Sequence, residues 1–342
     1  MKEIKVSGLL LLVLSFLFIQ SCNKEVITLP VVVTAEVKEI FSTSAICGGE
    51  VTNDGDAQVL ARGVCWSTES NPTLADNTTS NGTDDGVFTS LIIGLKMGVT
   101  YYFRAYAINT AGTSYGETLS FTTLTVDVDG NIYKIVKIGT QVWMAENLKT
   151  ARYGNGDFIG TTSPANLGTM GETTPKYQWA YSGDESNVAV YGRLYTWFVV
   201  ADNRKICPEN WHVPTNTEWI TLTDYLINNG YGYGGSGTGI AKSMAATSGW
   251  WTSPSAGTPG NDQESNNTSG FSALPGGCRF PMSDYETIAE FRGLSEFSFW
   301  WSSDVSTSSG TWGRTMSYGN TDVGSSGRGL EKLGFSVRCV RD

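Results

Sequence analysis

Histidine is nearly absent from this chain of 342 residues, where His212 is the only one. One imidazole excludes metal centres built on two or three histidines. The chain also has no Ser-His-Asp ordering, no Cys/His set at zinc spacing and no phosphate-cradling glycine loop. Charged residues are scarce, at 16%, and sum to −10. That acidic balance repels a phosphate backbone and argues against nucleic acid as a partner. Beyond the N-terminal segment no apolar run is long enough to span a bilayer. These absences rank an enzyme last among the readings: no catalytic residue, metal ligand or cofactor is expected. What is abundant is aromatic and turn-forming, with 11 Trp, 15 Tyr, 14 Phe and 40 Gly. This is the composition of a folded, loop-rich, β-leaning chain of about two domains.

The chain begins Met1-Lys2-Glu3-Ile4-Lys5, is apolar over 9–19, and reaches Gln20-Ser21-Cys22. A basic start, a short apolar stretch and a small residue before the cut read as a secretory signal over residues 1–21, not a transmembrane helix. Ile19-Gln20-Ser21-Cys22 resembles the lipobox of bacterial lipoproteins. The resemblance implies that the Cys22 thiol carries a diacylglycerol and that 22–30 is a lipidated tether, so that membrane lipid is a partner. An ordinary cysteine after a signal peptide, or an uncleaved anchor, are the alternatives. Asn23-Lys24-Glu25 looks like the surface-export signal of Bacteroidota lipoproteins. The expected location is the bacterial outer membrane, exposed at the cell surface. Acylation of one of the six cysteines leaves an odd number, so at least one thiol stays unpaired in a compartment that permits disulfides.

Residues 31–124 alternate in strand fashion, with strands expected at 31–37, 44–51, 58–67, 86–94, 100–109 and 118–123. Asn53-Asp54-Gly55-Asp56 reads as a hairpin turn, because Asp-Gly supplies positive φ. Short strands at this density predict a β-sandwich. Tyr101, Phe103, Ala105 and Ala107 share one strand face, and Tyr101 sits where a tyrosine corner would put its hydroxyl on upstream backbone. This stretch, with Met97 where proline is usual, resembles the fibronectin type III pattern. Arg62-Gly63-Val64-Cys65-Trp66, Asn71-Pro72 and Tyr115-Gly116-Glu117 look like variants of exported Bacteroidota proteins. Such modules are usually spacers. Cys47 and Cys65 fall in candidate strands and are either bridged or buried as free thiols.

The second domain is expected at 125–342. Asp127-Val128-Asp129-Gly130-Asn131 tempts a calcium reading, but the twelfth position of such a loop needs Glu and holds Ile138. A hairpin between 124–128 and 132–138 is the better reading. A helix is expected to open over 191–197 and run through Ala201. Thr215 and Glu218 form a capping box, followed by a stripe of Trp219, Leu222 and Leu226 that stops at Asn228-Asn229-Gly230. Residues 230–270 read as a long loop with one short helix at 240–247. Strands are expected at 299–303, 311–318 and 334–342. Long loops are more often functional than average. Within them Trp250 and Trp251, with Trp312 and Tyr318, form a candidate platform for stacking on sugar rings, unless they fill the core. Asp284, Glu286, Glu290 and Glu296 cluster in sequence only and read as solvated surface.

Asp127–Asn131, Gln141-Val142-Trp143-Met144, Glu146-Asn147-Leu148, Tyr191-Gly192, Cys207-Pro208, Trp211-His212-Val213-Pro214, 270–277, Trp300-Trp301-Ser302-Ser303 and 336–342 together closely resemble the Fibrobacter succinogenes major paralogous domain. That family occurs in exported bacterial proteins and has no established general activity. Val213-Pro214-Thr215, Glu218-Trp219, Gly334-Phe335 and Arg338 are more distantly similar to the formylglycine-generating sulfatase-modifying fold, a variant of the C-type lectin architecture. The resemblance implies an α+β domain whose two ends meet, with loops 231–270 and 303–330 presenting a contact surface. It also favours a disulfide between Cys207 and Cys339 with Cys278 free, as in lectin-like folds. The family's copper site needs a close cysteine pair that is lacking here, and its iron site needs three histidines. His212 is expected to be structural. The functional expectation is a non-catalytic, surface-anchored binding or adhesion protein for a glycan or protein ligand. A structural component of an outer-membrane complex is the alternative.

Overall fold

The computed structural model describes residues 26–169, 171–281, 288–306, 310–326 and 331–342. Cys22, Asp284 and Glu286 lie outside the described residues. No described helix is long and apolar enough to cross a membrane.

Eight strands build the first module: β1 (Val31–Ile40), β2 (Ser44–Asn53), β3 (Ala61–Ser67), β4 (Asn77–Thr78), β5 (Gly86–Ile93), β6 (Thr100–Asn109), β7 (Gly112–Tyr115) and β8 (Leu119–Thr122). They form two sheets, β1-β2-β5 and β4-β3-β6-β7, with β8 also on β6. Alternation decides which face is inside. Phe88, Ser90 and Ile92 of β5 are buried while Val87, Leu91 and Ile93 face out. Across the core stand Phe103, Ala105 and Ala107 of β6. The Tyr101 hydroxyl accepts from the Lys96 amide at 3.0 Å, as a tyrosine corner requires. The turn at 53–56 is present, with Gly55 at φ 76° and Asp56 at 59°. It is not a hairpin, however. β2 pairs with β1 and β5, whereas β3 pairs with β4 and β6. The turn carries the chain from one sheet to the other, because a sheet apolar on one face needs a second sheet to cover it. Cys47 and Cys65 are therefore in opposite sheets, buried and unbridged.

The second domain contains β9 (Thr125–Val126), β10 (Ile132–Tyr133), β11 (Ile135–Ile138), β12 (Gln141–Met144), β13 (Gln178–Trp179), α1 (Val188–Tyr191), β14 (Leu194–Tyr195), α2 (Trp197–Val200), β15 (Trp211–His212), α3 (Asn216–Asn228), α4 (Ala241–Met244), β16 (Gly276–Pro281), β17 (Ala289–Leu294), β18 (Phe297–Ser306), β19 (Gly310–Ser317), β20 (Gly324–Ser326) and β21 (Val340–Arg341). One sheet runs β11-β12-β21-β15 and another β17-β16-β18-β19-β20. Val340 pairs with both Trp143 and His212, so the beginning and end of the domain share a sheet.

Two expectations are corrected. The domain is β-rich rather than a balanced α+β fold: α1, α2 and α4 have four residues each, and α3, with 13, is the one longer α-helix among the described residues. Serines, threonines and asparagines that bond to nearby backbone compete with helix over the rest. The expected helix over 191–201 shrinks to α2. Gly192 sits at φ 74°, and Asn147 Nδ2 donates to the Tyr191 carbonyl at 2.9 Å. Leu194 and Tyr195 are thereby freed to pair with β13. The other helical expectations hold. Thr215 and Glu218 cap α3 reciprocally, and Trp219, Leu222 and Leu226 are its buried face.

The core of this domain has two lobes. One surrounds the Cys207–Cys339 disulfide, packing Met144, Tyr195, Trp301, Phe335 and Val337. The other surrounds α3, packing Trp143, Trp219, Phe271, Trp300 and Met316. Arg338 lies in the second, fully buried. Its Nη2 donates to Asn147 Oδ1 and the Ser272 carbonyl, each at 3.1 Å, and Nη1 donates to the Phe271 carbonyl. Trp300 Nε1 donates to the same Asn147 Oδ1 at 2.9 Å. The Arg338 guanidinium also lies 4.2 Å from the Phe271 ring centroid. Burial pulls its pKa down to about 9. It therefore stays charged at neutral pH, and its carbonyl partners replace the water it has lost.

Candidate functional site

The four aromatics proposed as a platform divide. Trp250 is 4% exposed and belongs to the core around α3, so it is corrected from ligand contact to packing residue. The Gln263 side chain fixes it by accepting from the Trp250 amide at 3.0 Å and donating to its carbonyl at 2.7 Å. The chain bends at Trp250, and its neighbour turns the other way. Trp251 is accordingly 52% exposed. The Tyr318 ring meets it edge to face, with centroids 5.8 Å apart and an interplanar angle of 69°. Trp312 lies in β19, and its side chain is outside the described residues.

One turn positions both rings, Trp251 exposed and Tyr318 partly buried against the core around α3. The Trp251 amide donates to the Ser295 carbonyl at 2.7 Å, and the Tyr318 amide to the Glu296 carbonyl at 2.9 Å. Ser295 and Glu296 connect β17 to β18, so the pair stands at the end of the five-stranded sheet. The Gly260 amide bonds the Tyr318 carbonyl at 2.8 Å, and the Ser253 amide bonds the Gly260 carbonyl at 3.0 Å. The loop over 253–260 is thus closed against the pair. Exposed Tyr233 packs beside Gly257 on the same loop. The expected contact loop over 303–330 is largely strand, contributing β19 and β20.

A single ammonium group organises the long loop. Lys242 Nζ donates to the Asp262 carbonyl at 2.8 Å, to Asn266 Oδ1 at 2.9 Å and to the Asn261 carbonyl. Buried Asn266 extends the knot, donating to the carbonyls of Ala246 and Pro259 at 2.9 Å each. Desolvation lowers the Lys242 pKa, opposed by the nearby Asp262 charge. Three oxygens around one cation give the loop a centre made from its own side chain. Nothing in the sequence marked this lysine, because two of its partners are backbone carbonyls.

His212 bridges two carboxylates. Nε2 is 2.8 Å from Glu218 Oε1 and Nδ1 is 2.6 Å from Asp342 Oδ1. Glu218 is also the capping-box residue, accepting from the Thr215 amide and hydroxyl. Burial raises the Glu218 pKa, and the bonds from Thr215 and His212 overcome this and lower it. Ser303 lines the same small cavity of about 170 Å³ as His212. With both ring nitrogens on carboxylates, no imidazole nitrogen is left to take a proton from that hydroxyl. His212 ties α3 to the last strand. Asp127 is saturated in a similar way. Its carboxylate accepts from the amides of Asp129 and Asn131, from the Asn131 side chain and from the Tyr133 hydroxyl. The Asp127–Asn131 turn is the hairpin between β9 and β10. Glu290 is held by Arg292 at 2.5 Å. Among the described residues no group of three or more His, Cys, Asp and Glu could hold a metal.

Cys207 and Cys339 are bonded, and Cys278 is buried and free. Burial pushes the Cys278 thiol up to about 12, so it is no nucleophile at neutral pH.

Residues 136–341 match the family described as the Fibrobacter succinogenes major domain, and the chain belongs to that family. Comparison with curated proteins finds no match. Solved structures similar to part of the chain include the sensor domain of the anti-sigma factor RsgI4 from Pseudobacteroides cellulosolvens, at 16% identity over 29% of this chain and 97% of that one, TM-score 0.22. They also include the fibronectin type III domain of human fibronectin type III domain containing protein 3, at 17% identity over 30% and 91%, TM-score 0.21. A third is the FN1-FN3 segment of chicken CNTN1, at 15% over 34% and 40%, TM-score 0.22.

Proposed function

We propose that the chain is a non-catalytic lipoprotein, held at the bacterial outer-membrane surface through Cys22, that binds glycans with its family domain. The sandwich is a fibronectin type III-type spacer, and the family domain is the lectin-like head. The observation that carries the reading is the Trp251–Tyr318 pair: a half-exposed indole backed by a second ring on a loop that Lys242 already holds in place. A sugar ring presents apolar C–H faces that stack on such a surface, and a pre-ordered loop loses little entropy on binding. The shared sheet at the two ends of the head is a further support for the lectin-like comparison.

The test is a glycan array probed with the full chain and with Trp251→Ala. Selective binding that falls at least about tenfold in the variant, on the order of 1.4 kcal/mol or more, supports the reading. Array binding that is absent from the wild type, or unchanged by the substitution, refutes it. Trp250→Ala is the wrong probe, because it opens a cavity in the core and costs about 3–5 kcal/mol of stability instead.

A further inference from the structure

A second cleft lies away from Trp251. It lies at the joint between the two domains and has a volume of about 820 Å³, which is within the range of small-ligand sites, and domain joints are a preferred place for them. One wall comes from the sandwich. Thr100 and Thr122 pair across β6 and β8 with their hydroxyls 2.8 Å apart, and Tyr102 follows two residues along. The other wall comes from β11 and β12, with Lys137 and Thr140. Arg341 closes the base, donating to the Gly98 carbonyl at 2.6 Å. Gly98 is at φ 66°, and a Cβ there would come within 2.6 Å of Thr125 Oγ1 and 3.0 Å of Trp211, so the base is tightly packed.

The charge of this cleft is opposite to that of the chain. The protein has 33 acidic and 23 basic residues, yet the cleft is lined by Lys137 and Arg341 with no Asp or Glu. Among the described residues the Lys137 ammonium has no ion-pair partner. Beneath Gly98, the Thr125 hydroxyl and the Trp211 indole N–H are buried without a hydrogen-bond partner among the described residues. We infer that the joint is a second binding site, for an acidic carbohydrate of the uronic-acid class. Lys137 and Arg341 take the carboxylate, and the threonine hydroxyls, which both donate and accept, match ring hydroxyls. An acidic peptide would satisfy the two cations but make less use of the row of hydroxyls.

The experiment is a titration of the full chain with sodium oligogalacturonate, alongside its neutral methyl ester and a poly-glutamate of matched charge. Saturable binding of the uronate alone is expected, weakening as salt rises. Lys137→Gln should raise its Kd at least tenfold, Lys137→Arg should retain binding, and Trp251→Ala should leave it unchanged. No uronate binding, equal binding of the ester or of poly-glutamate, or an unaltered Kd in Lys137→Gln would each overturn the inference. Loss of uronate binding in Trp251→Ala would move the ligand to the loop site and overturn it too. The Trp251 and Lys137 variants fail independently, so this site and the proposed glycan platform are judged separately.

Discussion

The sandwich satisfies its buried backbone from strand to strand, and its one buried guanidinium, Arg62, sits at a rim and donates to the carbonyls of Asn81, Asp85 and Gly86. Among the described residues the head buries three more, Arg279, Arg314 and Arg338. Arg279 and Arg338 meet carbonyls of irregular chain, and Arg314 meets the first residue of α3, through its side-chain oxygen at 2.7 Å and its carbonyl. Arg279 donates to Ala165 and Leu167, Arg314 to Asn216, and Arg338 to Phe271 and Ser272. The contrast shows what replaces a ladder when the chain is loop-rich: cations inside the core gather carbonyls that no neighbouring strand can reach. Several motif residues of the family, Asn147, Trp300 and Arg338, are spent on this internal work. In the glycan-binding reading proposed above, contact falls to side chains outside that motif.

The sharpest way to break the comparison is Arg338→Met. It strands the Phe271 and Ser272 carbonyls and removes a partner from Asn147, at a cost of about 3–5 kcal/mol. Calorimetry should show the head's transition falling while the sandwich's stays in place. Reducing the Cys207–Cys339 bridge, which spans 132 residues, should cost the head about 4–5 kcal/mol by the loop-entropy argument and leave the sandwich unaffected. A disulfide-free melt in which both transitions shift together would dissolve the distinction.

Acid provides a gentler test. The bond from Arg204 holds the Asp202 carboxyl far below its usual range; burial opposes it, and the weaker effect of the Lys176 bond adds to it. A depressed folded-state pKa gives stability that is complete above the unfolded value, near pH 4, and is lost as pH falls further. The head's melting temperature should therefore drop below about pH 4, and Asp202→Asn should flatten that limb. The smallest effect belongs to the sandwich. Tyr101→Phe removes the bond to the Lys96 amide and should cost it about 1 kcal/mol, read by urea denaturation, with the head unchanged.

Features with a local grammar were legible in the sequence. The α3 capping box needs only Thr215 and Glu218 at the right spacing, and the Tyr101 corner needs only a strand pattern and one hydroxyl. The 53–56 turn was legible as a turn but not as a crossing between sheets, because the same positive φ serves both. Trp250 and Trp251 could not be told apart: adjacent residues in an aperiodic loop carry no signal of which side is the core, and the Gln263 clip decides it. The Lys242 knot uses backbone carbonyls, which every residue has. The joint cleft depends on how two separately folded units meet, and no local pattern encodes that.

The most direct measurement of the central claim, that the head's ligand contact lies in its loop aromatics while its motif residues hold the fold, is a paired readout on Trp251→Ala. Its melting curve and its glycan-array profile should be taken from the same preparation of the full chain. The account predicts an unchanged melting temperature, since the Trp251 side chain is half exposed, together with loss of the glycans bound by the wild type. A variant that binds those glycans as the wild type does, or one that loses them only because the head has unfolded, would contradict it.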